Sequence, residues 1–135
     1  MKITFCLDKQ ITDGQRAVYW NDALSFRIDE EELQELLNQA RLGRWKYDQR
    51  EGIDFGSRLF QLLNRSGGQL TRALTQAVAK GEGLYLYLVL PFEIDALPLE
   101  LLYDQRFLLL ESNLNLIHRV NDRNRLQKKE AKKES

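Results

Sequence analysis

Seven consecutive apolar or aromatic residues, Leu84 to Leu90, lie between Gly83 and Pro91, and no other stretch constrains the fold as much. The run is far short of the roughly 20 residues a helix needs to cross a bilayer, and its length and breakers suit a strand covered on both faces. After it, Pro98 stands where a first helical position tolerates a missing N–H, and Leu99 to Asp104 supply helix formers, so one or two helical turns are expected. Phe107 to Leu110 and Leu114 to Val120 are two further strand-like runs, joined by a turn across Glu111, Ser112 and Asn113.

Upstream, Ile3–Leu7, Arg16–Trp20 and Ala23–Ile28 read as an antiparallel meander, with Thr12-Asp13-Gly14 forming a turn. Asp29 followed by Glu32 resembles a capping box. Leu33, Leu36, Leu37 and Ala40 then keep helical spacing up to Gly43. Arg44 to Gly52 shows neither period and reads as a loop. Asp54 is the expected N-cap of a second helix, with Phe55, Leu59, Leu62 and Leu63 on one face, before a break at Arg65 to Gly68. Leu70, Ala73, Leu74, Ala77 and Val78 mark a third helix that stops at Gly81 and forms a helical hairpin with the second. The expected class is therefore α/β: a mixed sheet with N-terminal antiparallel strands and about three helices, in one domain over residues 1–120. Residues 121–135, almost purely charged and polar, read as a tail or linker.

Two segments together resemble a family. Leu97-Pro98-Leu99-Glu100-Leu101-Leu102-Tyr103-Asp104, followed by Phe107 to Leu110 and a strand ending in His118-Arg119-Val120, is similar to the opening region of CHAT domains, the caspase-like domains associated with tetratricopeptide repeats. Gly56-Ser57-Arg58-Leu59-Phe60-Gln61-Leu62-Leu63 looks like the helix that precedes that strand in the family. The resemblance covers about Ile53 to Val120, and Leu99 stands where the family most often has tryptophan. It implies a partial caspase-like fold within a family of bacterial cysteine peptidases that often serve defence or regulated cell death. The residues that carry it, Pro98, Glu100, Leu101, Leu102 and Asp104, are motif-like and structural. The family's catalytic histidine and cysteine lie on later strands, so no catalytic residue carries over. Tetratricopeptide repeats are not visible in this sequence.

The residues themselves offer little chemistry. Cys6 is the single cysteine and His118 the single histidine, so the pair is the one conceivable nucleophile–base combination. Cys6, however, sits in an apolar strand pattern where a thiol behaves as a small hydrophobe. Asp29 to Glu32 suits a helix N-terminus rather than a metal, and neither Gly67-Gly68 nor Gly81-Glu82-Gly83 matches a phosphate loop; no metal and no cofactor are expected. Glu100 reads as a first-turn glutamate or the partner of Arg106 or Arg119. Trp45 and Tyr47 among Arg41, Arg44, Lys46 and Arg50 resemble a single-strand nucleic-acid contact, but the acidic helix beside them weakens the field, so nucleic acid is not an expected partner.

Zero formal net charge, 43% hydrophobic residues and no secretory h-region at the start fit an ordinary globular chain expected in the cytoplasm, with no membrane contact. The reading is a non-catalytic scaffold portion of a CHAT-type peptidase. Its protein partner is either the polypeptide carrying the catalytic half or a second copy. A free-standing interaction module is the alternative.

Overall fold

A computed structural model of the chain describes residues 1–65, 67–94, 97–108 and 114–120. Strands β1 (Lys2–Leu7), β2 (Gln15–Trp20) and β3 (Ala23–Asp29) form the meander. Its turns are set by local chemistry: Asp13-Gly14 and Asn21-Asp22 all adopt positive φ, as two-residue hairpin turns demand. Helices α1 (Glu30–Leu42), α2 (Gln49–Leu63) and α3 (Gln69–Lys80) follow, then β4 (Leu84–Leu90) and β5 (Leu114–Val120). The five strands form one mixed sheet in the order β3-β2-β1-β4-β5, in which β1, β4 and β5 run parallel. The α/β class and all five of these strands match the sequence reading.

The helices cover one face of the sheet. Leu84, Leu86, Leu88 and Leu90 alternate into that face and are at most 3% exposed, which stabilises the fold by about 2 kcal/mol for each leucine. They meet Phe5 and Val18 from the sheet, the stripe Leu33, Leu36 and Leu37 of α1, and Phe55, Leu59 and Leu63 of α2. Phe5 and Trp20 stack edge to face with ring centroids 5.1 Å apart. The opposite face of β4 carries Tyr85, which is exposed, with Tyr87 and Val89 half-buried. Cover on both faces is thus not what β4 has: aromatic rings with polar tips made an amphipathic strand look uniformly apolar.

Helix boundaries shift for physical reasons. Asp29 is the N-cap of α1 but makes no side-chain cap bond; its Oδ1 accepts from Gln15 Nε2 at 2.8 Å, while Glu32 pairs with Arg65, so the expected capping box does not form. Arg44–Lys46 is a 3-10 turn, and α2 begins well before Asp54. Its N-cap is Asp48, whose Oδ1 accepts from Arg50 N at 2.9 Å, whereas Asp54 lies inside the helix and pairs with Arg58 at 3.4 Å. Asp48→Ala should therefore cost about 1 kcal/mol in urea denaturation, and Asp54→Ala, which removes only an exposed pair, less than about 0.5 kcal/mol. The reverse order would return the helix start to Asp54.

Between β4 and β5 the described residues make short turns and no strand. Leu99–Leu101 is a single 3-10 turn. Phe107, expected to open a strand, makes only an isolated bridge to Tyr103, and Leu108 N donates to Leu102 O at 3.0 Å. Leu108 is buried in the core, while Phe107 is half-buried against Tyr103. Leu109 and Leu110, the expected Glu111–Asn113 turn and the 121–135 tail lie outside the described residues.

Candidate interaction surface

The two segments that carry the family resemblance are in direct contact. Gly56 O accepts from Tyr103 N at 3.2 Å, and an added Cβ on Gly56 would lie 1.8 Å from Leu101 O and 2.9 Å from Tyr103 Cβ. The backbone of the turn therefore rests on the backbone of α2. Pro98 opens the turn and its carbonyl accepts from Leu101 N at 3.1 Å; Leu102 is buried and ties the turn to Leu108. Leu101 is half-buried over Gly52 and Gly56. Tyr103 meets Phe107 edge to face at 5.1 Å, closing a loop in which Gln105 takes a left-handed φ of 63° and Asp104 N donates to Arg106 O at 3.0 Å. Asp104 and Glu100 are exposed, and among the described residues Glu100 forms no ion pair with Arg106 or Arg119. All five motif residues thus belong to one structural element.

A second cluster escaped the sequence reading. Arg16, 3% exposed, is gripped by Glu30, with Nε donating to Oε2 at 2.6 Å and Nη2 to Oε1 at 2.8 Å. Its Nη1 reaches Glu93 Oε1 at 3.2 Å and the Lys9 carbonyl at 3.3 Å. One guanidinium thereby joins β2, the start of α1 and the segments that follow β1 and β4. Bidentate hydrogen bonds to Glu30 raise the Arg16 pKa, and the same bonds hold the Glu30 carboxyl below its ordinary value, with burial opposing and Gln34 assisting. The signal was present in the sequence: period-two alternation puts Arg16 on the inward face with Val18 and Trp20. Although the carboxyl ends of parallel strands are where open α/β sheets bind ligands, this guanidinium is fully committed to protein partners and acts as a clamp.

No catalytic arrangement forms among the described residues. In register, Cys6 aligns with Val89 and Arg119, and Phe5 aligns with Leu88 and His118. Aligned partners share a face, so Cys6 and His118 point to opposite faces and sit two strands, about 10 Å, apart. A dyad between them is geometrically excluded. A groove of about 450 Å³ between α1 and α2 has Glu35, Arg44, Trp45, Glu51 and Arg58 in its walls, a mixed set without a nucleophile. No group of three metal-ligating side chains occurs among the described residues, and none of their helices is long and apolar enough to cross a membrane.

The remaining feature is the β5 edge. Among the described residues β5 pairs only with β4. On the helix side, Leu86, Leu88 and Leu90 are buried, but their register partners Leu116, His118 and Val120 become progressively uncovered, Val120 reaching 49% exposure. The helical layer therefore ends before the sheet does. Searches of protein-family models, curated proteins and solved structures find no match to this chain.

Proposed function

We propose that this chain is the non-catalytic, N-terminal portion of a CHAT-type caspase-like cysteine peptidase, a scaffold that receives the catalytic segment along β5. The observation that carries the reading is the parallel strand β5, at the sheet edge among the described residues, whose helix-side residues lose their cover from Leu116 to Val120. Unpaired strand edges with apolar side chains recruit another chain, and a parallel sheet extends readily by further parallel strands. The contact of Gly56 with the Leu97–Asp104 turn supports the same reading, because it gives the two resembling motifs one shared structural reason. A role in bacterial defence or regulated cell death follows from the resemblance alone.

Sedimentation velocity at micromolar concentration tests the edge. The chain should associate, with itself or with a polypeptide encoded beside it, and Val120→Lys should abolish association without unfolding, since lysine on an edge opposes pairing. A protein that stays monomeric and binds no such polypeptide would overturn the proposal.

A further inference from the structure

The face of the sheet away from the helices has its own chemistry. Register and alternation place Lys2, Thr4 and Cys6 of β1, Tyr85 and Tyr87 of β4, and Ile117 and Arg119 of β5 on that face. Arg27 joins them through its pairing with Ala17. Among the residues of the described strands the single carboxylate is Asp29, two residues from Arg27 on the same face, where Gln15 donates to it; Lys2, Arg27 and Arg119 are the cations of the face. Lys2 Nζ stands 4.3 Å from the Tyr87 ring centroid and the Arg119 guanidinium carbon 5.2 Å from it, so one tyrosine holds two cations in place. Tyr85, 47% exposed and two residues away along β4, has no ring or cation partner among the described residues. Immediately after β5 the sequence adds six Lys and Arg against three Asp and Glu between Asn121 and Ser135.

We infer that this face binds single-stranded nucleic acid, with Tyr85 as a stacking platform and Lys2, Arg27 and Arg119 contacting phosphates. Tyr85, with its ring exposed, can stack a base whatever its identity, while the Tyr87 ring fixes Lys2 and Arg119 beside it for phosphate contact. Net neutrality of the whole chain does not oppose this, because the local balance on this face is three cations, Lys2, Arg27 and Arg119, against one strand carboxylate, Asp29. An acidic protein segment is the competing occupant, but it leaves the stacking ring without a role.

Fluorescence anisotropy of labelled oligo(dT) and oligo(rU), each of about 15 nucleotides, against the full chain tests the inference, and the two probes tell DNA from RNA. Binding should appear below about 100 µM and weaken roughly 20-fold between about 50 and 200 mM salt, as three phosphate contacts require. Tyr85→Ala should weaken it about tenfold with an unchanged melting temperature, and the double change Lys2→Glu, Arg119→Glu by more. No binding up to about 100 µM overturns the inference. So does binding that survives these changes but vanishes when Lys128, Lys129, Lys132 and Lys133 become glutamine, or polyglutamate binding that equals that of the oligonucleotides.

Discussion

Arg16→Ala should lower stability by about 3–5 kcal/mol and the melting temperature by roughly 10 °C or more, measured by urea and thermal denaturation. The size follows from burial: the arginine is 3% exposed and Glu30 20%, so removing the guanidinium strands a carboxylate and two backbone carbonyls in a poorly solvated site. Changing both partners, Arg16→Met with Glu30→Met, should cost less than Arg16→Ala alone, because no buried charge is left unpaired. Glu93→Gln, at a 47% exposed position, should cost less than about 1 kcal/mol.

The same clamp sets an acid limit. Glu30 has a folded pKa below its ordinary 4.5, so its contribution is complete above that value and is lost as pH falls through the lowered folded pKa. Arg16 is displaced upward from its already strongly basic ordinary value, so its contribution is present throughout the neutral and acid range and is lost only in strong alkali. Wild-type stability should therefore fall more steeply than that of Arg16→Met, Glu30→Met on acidification below about pH 4.5. Parallel profiles for the two proteins would mean that Glu30 is not the group that titrates.

Gly56→Ala should destabilise by about 3 kcal/mol, even though alanine gains about 1 kcal/mol over glycine in a helix interior. A methyl group 1.8 Å from the Leu101 carbonyl oxygen must push the whole turn away, because the obstacle is backbone and cannot rotate aside. Gly52 is the internal control. Its added Cβ would meet Trp45 O at 3.7 Å and Leu101 Cδ2 at 3.9 Å, ordinary contacts, so Gly52→Ala should be neutral or stabilise by about 0.5–1 kcal/mol. Equal effects at the two glycines would show that the turn does not rest on α2.

Much of this architecture is legible in the sequence because it is local. Turn pairs such as Asp13-Gly14 and helix stops such as Gly43 and Gly81 need left-handed backbone, and the strands between them alternate or run apolar. What the sequence hides is pairwise and distant. Gly56 stands inside a recognisable motif, but its need for hydrogen in place of a methyl comes from a turn more than 40 residues later. Alternation places Arg16 on the inward face, but its partners Glu30 and Glu93, which come from other elements, are not legible in the sequence. Phe107 and Leu108 have strand-like side chains, yet Leu108 is buried in the core beside the turn, where its backbone N–H donates to Leu102 O. Asp48 and Asp54 are equally good caps by type, and the helix starts at the earlier one because Asp48 can turn its carboxylate onto Arg50 N.

The parallel edge at β5, unpaired among the described residues, is the feature on which the functional reading stands, and amide hydrogen exchange over Leu114 to Val120 interrogates it directly. In the isolated chain these amides should exchange well before those of Leu84 to Leu90, which lie between two strands; with the neighbour-encoded polypeptide, or at concentrations where the chain self-associates, they should slow most of all. Slowing confined to other elements, with β5 unchanged when the partner binds, would contradict the account.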